Sequence, residues 1–351
     1  MKSFGLGMAL GVAAVIGGLG IFYGGLAAFF PEHFPAPPIS RFAALDEKLR
    51  FHREHPDFQP TLISVGSSVA WRQIAGDIYA EYAGGKTRFL DASIVHLKIH
   101  QTRAMLDFYL DHFQQVDHIV MITSLPDYEN CTTEPRELFN ASEAAAYAFG
   151  QWPAAYFYLR YFAPRRFVQT ALSREAKTQP FLGDMYIDDW GSGPLQVPDS
   201  MKRGLRYGTI EVDKACVQEL GRLIGDVAER GKHLTIVFPP IHPEYRKQYP
   251  QSIKTLSQII QHAREVGARH GARVIDLHAD DAYGDKDYFD ALHLQYPAVR
   301  RLSAQVVERL GQRSVAGKFA VRHPQDGRLQ DSRLQDGRPQ DGLGSGRTVM
   351  E

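Results

Sequence analysis

Thr61-Leu62-Ile63-Ser64-Val65-Gly66-Ser67-Ser68-Val69-Ala70-Trp71 is the stretch on which the fold turns. Its first half is a short apolar run with β-branched residues, the composition of a buried strand. Gly66-Ser67-Ser68 breaks the run, and the pattern beyond it is helical. A tight turn from strand to helix is where an α/β fold presents a nucleophile, with backbone N–H groups near by to hold an oxyanion. Gly-Ser-Ser is equally at home in a plain turn, so the reading needs partners elsewhere in the chain.

Working outward, the same grammar repeats. Strands are expected at 61–66, 87–91, 117–123, 234–238 and 273–277, and helices at 41–56, 97–114, 214–230, 251–270 and 297–311, with Gly231 and Gly271 as stops. Short apolar strands alternating with helices imply a parallel sheet covered on both faces. The fold class is therefore α/β, a flavodoxin-like three-layer sandwich of about five parallel strands. A helical insertion at 131–210 interrupts it, rich in aromatics such as Tyr147, Trp152, Tyr156, Phe157, Tyr158 and Phe162. The insertion fits a cap over the site, a packing layer, a polymer-binding surface or a membrane-facing patch. The tail at 313–351 repeats a short polar unit with almost no core-forming residues and reads as disordered.

The N-terminus has a different composition. From Ser3 to Phe30 there is no charged residue, a length sufficient to span a bilayer and longer than the apolar core of a cleaved signal peptide. Residues 3–30 thus read as a transmembrane anchor. Residues 31–40 are dense in proline and read as an extended juxtamembrane linker, which with the helix behind it reaches residue 56. The α/β domain proper covers 57–312. Lys2 and a charge-balanced 31–50 give a slight bias for an N-terminus in the cytoplasm, with the bulk extracytoplasmic or periplasmic. Cys131 and Cys216 are compatible with one disulfide or with two buried thiols.

The 351 residues carry 40 basic and 40 acidic side chains, so the formal net charge is zero. With no basic stripe interleaved with aromatics, nucleic acid is not an expected partner. Dinucleotide, P-loop and zinc-protease signatures are missing, and the aspartate-rich run from Asp276 to Asp290 has no calcium-loop spacing, so neither a cofactor nor a metal is expected.

The partner for the opening turn is Tyr288-Phe289-Asp290-Ala291-Leu292-His293-Leu294, after the last strand and before the last helix. An aspartate three residues before a histidine can fix the imidazole tautomer, and the histidine can then take a proton from a serine. Ser68, His293 and Asp290 are the catalytic candidates.

These two motifs together resemble the SGNH (GDSL-like) hydrolase superfamily. Its first block is usually Gly-Asp-Ser, so the resemblance aligns Gly66 with the glycine, puts Ser67 in place of the aspartate and makes Ser68 the nucleophile. Asp290 and His293 match the last block. The apolar N-terminus and the stretch Val237-Phe238-Pro239-Pro240-Ile241-His242-Pro243 are similar to a branch of membrane-anchored proteins of the DltD and alginate-acetylation kind, which handle acyl groups on envelope polymers. The chain departs from the family where an oxyanion donor is expected. Asp91-Ala92-Ser93 has no glycine, leaving an Ala92 or Ser93 backbone N–H, and Pro126 replaces a donating asparagine. Losing one such donor costs on the order of 3 kcal/mol of transition-state stabilisation. Ser93, Ser124, Asn130 and His242 are the substitute or substrate-contacting candidates, and Arg72 is placed to attract an anionic substrate. The resemblance implies an O-acyltransferase acting on a cell-envelope polysaccharide or exopolysaccharide, with a membrane-bound O-acyltransferase or a polysaccharide export complex as partner. An esterase or deacetylase with the same triad and a non-catalytic assembly protein are the alternatives.

Overall fold

The computed structural model describes residues 2–31, 34–82, 87–175 and 187–311. The tail expectation for 313–351 lies outside them. Five strands, β1 (Leu62–Gly66), β2 (Phe89–Asp91), β3 (His118–Ile122), β4 (His233–Phe238) and β5 (Arg273–Asp276), form one parallel sheet in the order β2-β1-β3-β4-β5. That is the flavodoxin-like order, with its switch point between β1 and β3. The register pairs Gly66 with Ile122. Both faces of the central strands are buried, which is why β1, β3 and β4 read as apolar runs without alternation.

Helices α5 (Ile99–His112), α9 (Lys214–Glu229) and α11 (Pro250–His270) pack side by side on one face. The short α4 (Gly76–Ala80) and α12 (Tyr296–Leu310) pack together on the other. The stripe Ala298, Val299, Leu302, Val306 and Val307 buries α12 at helical spacing. Gly271 ends α11 in the left-handed region, as its position after the last apolar residue predicts.

The chain opens with α1 (Lys2–Phe29), of which Leu10–Phe29 is long and apolar enough to cross a membrane. The stretch expected as an extended juxtamembrane linker has neither helix nor strand at residues 34–39. Residues 35–40 are buried against α2 (Ala43–Glu54): the Ala36 N–H donates to Glu47 and the Ser40 N–H to Asp46. Prolines bring no N–H of their own, so this segment is buried at little polar cost.

The insertion contains α6 (Ala141–Ala148), α7 (Ala154–Arg160) and α8 (Pro164–Glu175). Cys131 and Cys216 are disulfide-bonded and close its base, tying the segment after β3 to the first turn of α9.

Candidate active site

Gly66 is required by the opening turn. Its φ is +150, and a Cβ there would meet the Ile122 carbonyl oxygen at 2.3 Å and Ala70 at 2.7 Å. Only glycine lets β1 end this close to β3 before the chain enters the five-residue α3 (Ser68–Arg72). Ser67 caps α3, its Oγ accepting from the Val69 N–H. That leaves Ser68 half-buried at the carboxyl end of the sheet.

His293 arrives from the other side of the sheet. Its Nε2 is 3.1 Å from Ser68 Oγ, across 225 residues of chain. Its Nδ1 lies 2.9 Å and 3.0 Å from the two carboxylate oxygens of Asp290. Asp290 Oδ1 also accepts the N–H groups of Leu292 and His293, which folds Asp-x-x-His into a closed turn. Burial opposes ionisation of Asp290, but His293 and these N–H groups outweigh it and hold the carboxyl below the usual range. An ionised Asp290 accepts a hydrogen bond from Nδ1–H, which leaves Nε2 as the acceptor facing Ser68 Oγ–H.

A cleft of about 580 Å³ opens over Ser68 and His293. Its lining includes the basic side chains Arg41, Arg72, Lys98, Arg203 and Arg206, and a single carboxyl, Asp127. Burial pushes the Asp127 carboxyl up to about 6, against hydrogen bonds from Ser67, Ser124 and Thr123 that favour its charged form. Among the described residues no group of three histidine, cysteine or acidic side chains is placed to hold a metal ion.

The remaining candidates separate on geometry. Arg72 lines the cleft but is 3% exposed, donates to the Gly193 carbonyl and lies over the Trp71 ring, so its charge serves packing as well as the cleft. Ser93 does not line the cleft: it is fully buried, and its N–H donates to Asp91. The Ala92 N–H is equally committed, to Ser64 O. Neither can donate to an oxyanion. Ser124 is buried below the cleft with its N–H on Asp127. Asn130 is exposed at the base of the insertion, next to the disulfide. His242 caps α10 (Pro243–Gln248) through Nδ1, its ring lies over Tyr288, and its N–H donates to the Ala291 carbonyl. It supports the Asp290–His293 turn from behind and does not line the cleft.

What the sequence did not disclose is the return segment of the insertion, residues 187–210, an irregular strap. It rings the site. Asp91 N–H donates to Trp190 O, Gly193 N–H to Trp71 O, and Tyr296 N–H to Leu195 O. Val197 exchanges two hydrogen bonds with the Gln295 side chain. Arg203 N–H donates to Phe289 O, and Gly204 pairs with Asp290 as an isolated bridge. Tyr207, with a φ of +111, then places its hydroxyl against Asp290 and His293. A second missed residue is His96, on the rim of the cleft with a φ of +64, a conformation uncommon outside glycine. The cluster of Gly191, Gly193, Gly204 and Gly208 was the available signal for the strap, and for His96 there was none. Of the insertion, the part that lines the cleft is its return segment, through Leu195, Val197, Met201, Arg203, Arg206 and Tyr207, and no described residue of α6, α7 or α8 does.

No protein-family model matches the chain, and no curated protein matches it in sequence. Solved structures are similar to it at low identity. One is LAE5, an alpha/beta hydrolase enzyme from the metagenome of Lake Arreo, Spain, with a TM-score of 0.39, 11% identity, and coverage of 71% of this chain and 93% of that one. Another is a putative arylesterase from Agrobacterium tumefaciens str. C58, with a TM-score of 0.38, 12% identity, and coverage of 72% and 98%. A third is a carbohydrate acetylesterase family member from Sinorhizobium meliloti, with a TM-score of 0.34, 10% identity, and coverage of 71% and 98%. At such scores these likenesses add nothing to the α/β assignment, which stands on the sheet order.

Proposed function

We propose that the protein is an esterase-type serine enzyme that carries acyl groups through Ser68, and that its physiological reaction is O-acyl transfer, acetyl in particular, to a hydroxyl of an extracytoplasmic carbohydrate polymer. The observation that carries this reading is the unbroken line from Ser68 Oγ to His293 Nε2 and from His293 Nδ1 to Asp290.

Ser68 Oγ attacks the ester carbonyl as its proton passes to His293 Nε2, and Asp290 stabilises the imidazolium. The tetrahedral oxygen faces the Ser68 N–H, and the loop Val95–Leu97, which lines the cleft beside it, is the source of a second backbone donor. His293 returns the proton to the leaving alcohol. A polymer hydroxyl, or water, then repeats the sequence in reverse on the acyl-enzyme.

Transfer is preferred over hydrolysis because α1 would hold the cleft beside a membrane, where a membrane-bound O-acyltransferase can supply the acyl group. The Cys131–Cys216 disulfide supports an oxidising, extracytoplasmic compartment. The basic lining suits a polymer or leaving group that carries negative charge. The resemblance to membrane-anchored SGNH proteins of the acyl-handling kind points the same way. A non-catalytic assembly role keeps one observation in its favour: Pro126 lines the cleft and brings no side-chain donor to it.

The test is labelling of the purified full-length protein with a fluorophosphonate. Labelling lost in Ser68→Ala and in His293→Ala is expected. Equal labelling of Ser68→Ala, or none of the wild type, sinks the enzyme reading. Turnover of a small acetyl ester with no sugar acceptor, unaffected by added polymer, would move the assignment to an esterase.

A further inference from the structure

Helix α1 is not bare along its length. From Leu10 to Gly18 no residue is buried, but Phe22, Tyr23, Leu26 and Phe30, one stripe at helical spacing, pack on the insertion. Phe162 lies 5.3 Å from Phe22, Phe167 lies 5.6 Å from Tyr23, and the Tyr23 hydroxyl donates to the Tyr158 carbonyl. At 1.5 Å per residue, Phe22 is about 10 Å before the end of the apolar segment at Phe29, so whatever touches it stands at that depth.

The helices that touch it keep an apolar outer surface. Trp152, Tyr156, Leu159 and Phe162 are exposed on or beside α7, and Val168 and Leu172, one turn apart, are exposed on α8. On α8 the buried pair Phe167 and Ala171 faces α1, so Val168 and Leu172 point elsewhere. Arg165 is exposed at the start of α8, and Arg160 reaches outward to Glu143. Aromatic and aliphatic side chains bordered by arginines make the composition of a helix lying in a bilayer interface. Residues 35–40, which follow α1 closely, are themselves buried on the domain.

We propose that α7 and α8 form a lipid-facing ledge, sunk into the leaflet from which α1 emerges. The domain then rides on the membrane in one orientation and does not swing on a tether. This rests on the reading that α1 crosses a membrane. The occupant of the ledge is lipid because its apolar surface is continuous with that of α1.

Variants of the full-length protein with one added cysteine each, carrying an environment-sensitive fluorophore, test it in vesicles of phosphatidylcholine with a minor share of phosphatidylglycerol. The native cysteines are paired and do not take the label. Leu159→Cys and Leu172→Cys sample the ledge, Ile16→Cys the span, and Ser257→Cys the exposed face of α11. With lipids bearing a quencher on the upper acyl chain, emission from the two ledge positions is expected to fall about twofold, while Ser257→Cys is unchanged. Quenching at Ile16→Cys without quenching on the ledge overturns the proposal and leaves the anchor. No quenching at Ile16→Cys removes the anchor reading and the ledge with it. An apolar emission colour on the ledge without lipid quenching means that protein covers it, and also overturns the proposal.

Discussion

The Tyr207 hydroxyl stands 3.3 Å from Asp290 Oδ2 and 3.3 Å from His293 Nδ1. Asp290 Oδ1 accepts two backbone N–H groups, while Oδ2 is shared by the imidazole, Arg206 and the Tyr207 hydroxyl. Burial first, and then the Asp290 charge, raise its phenol above the ordinary range, so it stays a donor at any working pH. Tyr207 is a positioning residue. Tyr207→Phe is expected to lower kcat on an acetyl ester by roughly three- to tenfold with KM unchanged. A change in KM alone would place Tyr207 in substrate binding instead.

Asp127 gives a pH signature. Its carboxyl is held at about 6 when folded, against 3.8 for the free group. Between about pH 4 and pH 6 the folded state therefore binds more protons than the unfolded state, and stability falls as pH rises, then levels off. Asp127→Asn should flatten this slope in urea unfolding, by up to about 3 kcal/mol between the two ends. An unchanged slope would mean that Asp127 is ionised throughout.

The disulfide closes a separation of 85 residues between Cys131 and Cys216. The double Cys131→Ser, Cys216→Ser variant is expected to lose on the order of 2–4 kcal/mol of stability by chemical denaturation. Fluorophosphonate labelling of Ser68 should persist wherever that variant is folded, since neither cysteine lines the cleft.

Gly66→Ala sets a methyl group 2.3 Å from the Ile122 carbonyl oxygen. A loss of at least about 2 kcal/mol is expected, with labelling of Ser68 falling even in the folded fraction, because relief of the clash moves the turn that carries the serine. Wild-type labelling and melting in this variant would show that β1 and β3 part more easily than their register implies.

The sheet was legible because buried parallel strands leave an unmistakable mark. Leu62–Gly66, His118–Ile122 and Leu234–Phe238 are apolar on both faces and are each followed by a break. The Asp290–His293 turn was legible because its contacts are local. That residues 35–40 are buried was not legible, since nothing local announces that Glu47 and Asp46 supply acceptors for their N–H groups. Ser93 lies outside the cleft because its N–H is taken locally by Asp91 and because Lys48, from α2, donates to its carbonyl, a distant partner that no local pattern announces. The strap escaped entirely. Residues 187–210 have neither a period of two nor one of 3.6, and they are held by backbone bonds to residues 71, 91, 289 and 296, which no pattern within the strap encodes.

The strap also sets a birth order for the reactive centre. The serine turn is complete once β1 pairs with β3, early in the emerging polypeptide. The imidazole follows 225 residues later, and the carboxylate beside it is braced by Tyr207 and by the Gly204 bridge, both on the return segment of the insertion. A chain still being synthesised therefore holds Ser68 without His293 beside it, and the line from Ser68 through His293 to Asp290 can form only once residue 293 has been made.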